Sequence, residues 1–105
     1  MAKIVWTEPA LIDLDEIAEY IALDKPTAAK KLVQTIFTKT DRLEDFPNSG
    51  RNPPELKKSR YQEIIVNPCR IFYRFDGINV YILYVMRNER KLRQYLLNDR
   101  ENAND

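Results

Sequence analysis

The 105-residue chain has no histidine and one cysteine, Cys69. Lacking histidine, it lacks the side chain that most often acts as general base or metal ligand near neutral pH. A single cysteine allows neither an internal disulfide nor a thiolate metal cluster. Ser/His/Asp and Cys/His nucleophile systems are therefore excluded, and no metal or cofactor is expected. Glycine is scarce as well, at two residues, Gly50 and Gly77, and both fall in predicted loops. Long apolar runs are missing: the longest, Val80 to Met86, is far below the roughly 20 residues of a membrane-spanning helix. The opening Met1 to Trp6 is too short for the apolar core of a signal peptide. These absences predict a soluble, cytoplasmic protein with no membrane partner.

What is present suits one domain. With 44% hydrophobic and 31% charged residues, the chain can bury one core without staples. We assign residues 1–97 to a single domain and 98–105 to a frayed tail. The net charge of +1 hides an asymmetry. Residues 1–48 carry six Lys and Arg against nine Asp and Glu, whereas residues 51–93 carry ten against four, so the second half is basic.

Ile4 to Trp6 forms a short β-branched and aromatic run, closed by Thr7-Glu8-Pro9. Thr7 can cap a helix, and proline is tolerated in its first turn, where the missing N–H would have no partner anyway. Ala10, Leu11, Leu14, Ile17, Ala18 and Ile21 then recur at spacings of three and four, which predicts an acidic amphipathic helix. A second, longer helix begins near Pro26 and carries Ala29, Leu32, Val33, Ile36, Phe37, Leu43 and Phe46 until Pro47 ends it. The short break between them implies an antiparallel αα-hairpin.

Residues 47–60 hold three prolines and four basic residues and read as a loop. Tyr61 to Val66, Cys69 to Phe75 and Ile78 to Met86 follow as three antiparallel strands, joined by Asn67-Pro68 and Asp76-Gly77. The last strand is apolar at nearly every position, which predicts a central place in the sheet. The fold class is therefore α+β: an N-terminal strand and an αα-hairpin packed on one face of a small, mainly antiparallel sheet of about four strands.

Candidate functional residues gather on the face that this arrangement leaves open. Alternation along strand 69–75 puts Arg70, Phe72 and Arg74 on one side and Cys69, Ile71, Tyr73 and Phe75 on the other. Arginines on a strand face are either paired or open to solvent. Arg87, Arg90, Lys91 and Arg93 follow the last strand, and Arg51, Lys57, Lys58 and Arg60 precede the sheet. If these segments converge, they make a surface for phosphate or carboxylate. The alternative is cations spread evenly over solvated loops. Cys69 is read as a small apolar residue, and Tyr73, Tyr81 and Tyr84 as packing residues rather than base-stacking platforms.

The helix end Phe46-Pro47-x-x-Gly50-Arg51, the strand Cys69-Arg70-Ile71-Phe72-Tyr73-Arg74-Phe75 leading into Asp76-Gly77, and the final Val85-Met86-Arg87 together resemble the RelE/ParE superfamily of toxins. The likeness spans about residues 3–95 and is greatest to the ParE, or plasmid-stabilisation, branch. It implies a toxin of a bacterial type II toxin–antitoxin module, neutralised by a cognate antitoxin, with a homodimer or a toxin–antitoxin heterotetramer as the assembly. ParE-like members arrest growth by inhibiting DNA gyrase and replication; RelE-like members cleave mRNA on the ribosome without a metal and so inhibit translation. Whether the protein is an enzyme follows from that choice. A nuclease would draw on Arg70, Arg87, Arg90, Tyr95 and Glu55, and either Glu55 or Glu63 could take the proton. The binding surface would comprise Arg70, Arg74, Arg87, Arg90, Lys91, Arg93, Lys57, Lys58 and Arg60. Two departures count against the nuclease: Tyr61 and Glu63 stand where those enzymes carry lysines, and Arg90 to Tyr95 is one residue too long. The ParE-like activity is the expectation.

Overall fold

The computed structural model describes residues 1–103. The chain runs through β1 (Lys3–Trp6), α1 (Glu8–Ala22), α2 (Pro26–Asp41), a 3₁₀ turn (Arg42–Glu44), β2 (Tyr61–Val66), β3 (Cys69–Phe75), β4 (Asn79–Arg87) and α3 (Gln94–Ala103). The expected α+β fold is the one observed. The sheet order is β1-β4-β3-β2, so the apolar β4 is interior, and β1 lies beside it in parallel. The neighbour of β1 could not be read from the sequence; the αα-hairpin is the crossover that makes this parallel pairing possible.

Local signals act as read. The Thr7 hydroxyl accepts the Ala10 N–H at 3.4 Å and donates to the Ile82 carbonyl at 2.7 Å, so one side chain both caps α1 and closes the end of β1. The β3–β4 turn takes three residues rather than two: Asp76 Oδ1 accepts the N–H groups of Ile78 and Asn79, and Gly77 takes φ +96°.

One face of the sheet, carrying Val66, Cys69, Ile71, Tyr73, Val80, Ile82 and Val85, packs on Ala10, Leu14, Leu32 and Ile36 of the hairpin. Each large apolar side chain buried there contributes roughly 1.5–3 kcal/mol. The opposite face is not open. Tyr61, Phe72, Leu83 and Met86 form a second core with Leu92 and Leu97. A bulge helps to build it. Phe72 lies opposite Tyr84 but Tyr73 lies opposite Ile82, which leaves Leu83 as the extra residue and turns both Leu83 and Tyr84 towards this second core.

The expectation of a loose tail from residue 98 is therefore corrected. Residues 98–103 belong to α3, and residues 104 and 105 lie outside the described part. Helix α3 is fastened by Leu97, which is fully buried, by Asn98, which accepts the Tyr61 hydroxyl at 2.7 Å, and by Arg100, which grips Asp13 of α1 at 2.9 and 3.0 Å. Arg100 also donates to the Leu83 carbonyl at 3.0 Å, and Asp13 accepts the Val85 N–H at 3.1 Å. The pair thus satisfies backbone groups of β4 beyond the reach of β1. No helix among the described residues is long and apolar enough to cross a membrane.

Candidate functional site

The β2–β3 hairpin sets the centre of the basic flank. Its register places Ile65 opposite Arg70 and Glu63 opposite Phe72, so Glu63 and Arg70 are diagonal neighbours on one sheet face. Arg70 Nε and Nη2 donate to the two oxygens of Glu63 at 2.7 and 2.9 Å. Nη1 and Nη2 donate to the two oxygens of Glu55 at 2.7 Å each, and Nη1 reaches the Arg90 carbonyl at 3.4 Å. All five N–H donors of the guanidinium are thereby engaged. Arg70 is only 7% exposed and Glu63 1%.

The same cluster ties four segments together. Glu55 also accepts the Leu92 N–H at 2.9 Å. Arg51 exchanges backbone hydrogen bonds of 2.8 and 3.0 Å with Glu63, and its Nε lies 3.5 Å from the Glu63 carboxylate. The loop before β2, strands β2 and β3, and the segment after β4 therefore meet at one buried guanidinium.

The hydrogen bonds from Arg70 hold the Glu55 carboxyl down at about 2, against 4.5 ordinarily, with the Leu92 N–H adding to the effect and burial opposing it. Such a group contributes its full stability above pH 4.5 and loses it as the pH falls towards 2, because the unfolded chain takes up the proton first. Between about pH 5 and pH 2 the wild type should lose about 3 kcal/mol more than Glu55→Gln. Urea midpoints at the two pH values measure the difference; equal losses would show that this carboxylate is not held by the fold.

The other predicted cations divide into paired and exposed groups. Arg74 and Arg60 both reach the Glu101 carboxylate on α3, and Arg60 also donates to the Tyr61 hydroxyl at 3.0 Å. Arg87 pairs with Glu89 at 2.8 Å and lies over the Tyr20 ring, 5.6 Å from its centre. Lys57, Lys58, Arg90, Lys91 and Arg93 are exposed, and Tyr95 stands 58% exposed in the first turn of α3. The expected anion-binding face is thus corrected at its centre. Arg70 and Arg74 do not stand ready for a ligand, because α3 and the loop before β2 cover that face and bring carboxylates to them. A hollow of about 350 Å³ beside the cluster is lined by Arg51, Pro54, Glu55, Ile65, Arg70 and Asn88, and its two arginines face Glu55 and Glu63.

Glu63, expected as a base for a nuclease, is instead the buried partner of Arg70. The hairpin register carried the signal that would have found its role. A turn at Asn67-Pro68 fixes Ile65 opposite Arg70, and opposite charges then sit diagonally on one face. Asp13, Arg100 and Glu101 carried no such signal, since their partners lie on elements distant in sequence. Cys69 is fully buried and burial pushes its thiol up to about 11, as suits a small core residue.

Residues 4–92 match the family described as the ParE toxin of the type II toxin–antitoxin system parDE. The chain belongs to the ParE toxin family. The Y4kP protein of Sinorhizobium fredii is 40% identical over 94 residues, covering 90% of this chain and 96% of its own length. Toxin RelE2 of Caulobacter vibrioides is 35% identical over 80 residues, covering 74% and 86%. Among solved structures, a chain of the chromosomal ParDE system from P. aeruginosa superposes with a TM-score of 0.70 at 29% identity, covering 85% of this chain and 98% of that one. This protein is therefore a RelE/ParE superfamily toxin of a type II toxin–antitoxin system, and its partner is an antitoxin. The buried Arg70 cluster braces the fold, since it joins the loop before β2, strands β2 and β3 and the segment after β4.

Proposed function

We propose that this ParE-family toxin arrests growth by binding DNA gyrase and blocking replication, acting in the cytoplasm as a plasmid-stabilisation toxin, and that it is a binding protein rather than a nuclease. The observation that carries this reading is the state of Arg70. Cleavage of RNA by 2′-hydroxyl attack needs a free cation at the phosphate and a base able to take a proton near neutral pH. Arg70 has spent all five donors within the protein, and Glu55 is held at about 2, too acidic for that task.

A binding activity needs only exposed, complementary surface. Arg90, Lys91, Arg93, Lys57 and Lys58 supply cations to meet an anionic partner such as the DNA engaged by gyrase. The antitoxin is assigned to a hollow of about 430 Å³ where the hairpin meets the β2–β3 turn, lined by Ile21, Ala28, Leu32, Val66 and Pro68 with the cations Lys31 and Arg87. An amphipathic acidic segment fits that chemistry.

Purified toxin should inhibit supercoiling by gyrase, and prior incubation with antitoxin should remove the inhibition. It should leave messages on programmed ribosomes intact. Ribosome-dependent cleavage together with unaffected gyrase would replace this reading with the RelE-like one.

A further inference from the structure

At the end of the sheet opposite the antitoxin hollow lies a second concavity of about 440 Å³, lined by Met1, Ala2, Glu44, Asp45, Pro47, Phe75, Gly77 and Ile78. Ile78 precedes the first residue of β4 and Arg87 is its last, so at about 3.3 Å per residue the two hollows are roughly 30 Å apart. They differ in sign. The antitoxin hollow is lined by two cations and no carboxylate, whereas this one is lined by two carboxylates, Glu44 and Asp45, and by no Lys or Arg, the Met1 α-amino group being the one positive group among its lining residues. Asp76 flanks it within the β3–β4 turn, and the nearby cations Lys3 and Arg42 are not part of its lining.

Its apolar groups stand out in water. Of the lining residues, Met1 is 94% and Ile78 73% exposed, and Phe46, next to the lining in sequence though not part of it, is 65% exposed. A single exposed apolar side chain is unremarkable, but several at one concavity indicate a contact surface. They are also held rigidly. Asp76 fixes the turn that carries Ile78 through two hydrogen bonds, of 2.8 and 2.7 Å. The segment carrying Phe46 is held by bonds from Phe46 N–H to the Arg42 carbonyl at 3.1 Å and from Ala2 N–H to the Glu44 carbonyl at 2.9 Å. Apolar groups presented on ordered turns lose little entropy when a partner covers them.

We propose that this hollow is the docking surface for the protein target, taking an apolar side chain flanked by Lys or Arg. The charge of the rim selects such a segment and disfavours the acidic one assigned to the other hollow. Resting on the gyrase reading, the proposal names the surface by which the toxin grips gyrase itself, while the exposed cations of the 57–58 and 90–93 segments face its DNA.

The test compares wild type with Ile78→Asp, Asp45→Lys and Ile78→Leu in binding to purified gyrase, with antitoxin affinity and circular dichroism measured alongside. Both positions of change are exposed, so the variants should fold. Ile78→Asp and Asp45→Lys should weaken gyrase binding at least tenfold, Ile78→Leu should retain it, and antitoxin affinity should not change. Wild-type binding by Ile78→Asp would overturn the proposal and leave the gyrase reading standing. An equal loss of antitoxin affinity would assign the hollow to the antitoxin, and conversion of a wild-type dimer to a monomer would assign it to a second copy of the chain; either result overturns the proposal. If wild type itself does not bind gyrase, both this assignment and the proposed function fall.

Discussion

Replacing Arg70 with methionine should destabilise the folded protein by about 3–5 kcal/mol, the range for removing one partner of a buried ion pair. Glu63 would remain fully buried with a charge matched only by Arg51, whose Nε is 3.5 Å away and whose side chain is 57% exposed. Glu55, 18% exposed, can turn towards water, so the loss centres on Glu63. At about 4 °C or more per kcal/mol for a domain of this size, the melting temperature should fall by at least about 12 °C. Changing both residues, Glu63→Leu with Arg70→Met, should recover most of the loss, because apolar residues of similar volume often replace a buried ion pair without penalty. Thermal and urea denaturation measure both effects, and a fall below about 4 °C for the single variant would show that the cluster is not a principal brace. The result also bears on function. Because Arg70 is internal, its reversal to glutamate would unfold the toxin and so say nothing about target contact; Arg90 and Lys91 are the positions at which charge reversal tests the surface.

Gly50→Ala should cost about 2–3 kcal/mol, in the manner of a methyl group forced into a filled space. Its Cβ would lie 2.6 Å from the Tyr73 hydroxyl, 2.8 Å from Tyr73 Cε1 and 2.8 Å from the Glu63 carbonyl oxygen. None of these can retreat easily. Tyr73 is fully buried and its hydroxyl accepts the Gly50 N–H at 2.9 Å, while the Glu63 carbonyl accepts the Arg51 N–H at 3.0 Å. Gly77→Ala gives the contrast. No atom lies within 4 Å of its Cβ, so only the positive φ of +96° is strained, and about 1 kcal/mol is expected. Urea midpoints should rank Gly50→Ala below Gly77→Ala and both below wild type; the reverse order would mean that backbone conformation matters more than close approach.

These two glycines show how far the sequence could be read. The Asp76-Gly77 turn is a local event, set by a side chain reaching N–H groups two and three residues on, and it could be recognised from its own residues. Gly50 could be noticed in the Phe-Pro-x-x-Gly-Arg pattern, but the reason for it, a tyrosine 23 positions away, could not. The motif residue Phe46 is exposed and lies beyond the end of α2, which stops at Asp41 and gives way to a 3₁₀ turn, so the expectation that the second helix carries its apolar stripe through Phe46 is corrected.

The sequence by itself determined the two helices of the hairpin, the strands, the Thr7 cap, the alternation of β3 and the family likeness. Periodicity, capping and turn chemistry act over a few residues and are written there. Tertiary structure alone decided that β1 joins β4, that α3 closes the second face, and that Arg70 and Arg74 are neutralised from within by Glu55, Glu63 and Glu101. A charge pattern records which groups can pair, but which of them do depends on the distances that folding sets between segments far apart along the chain.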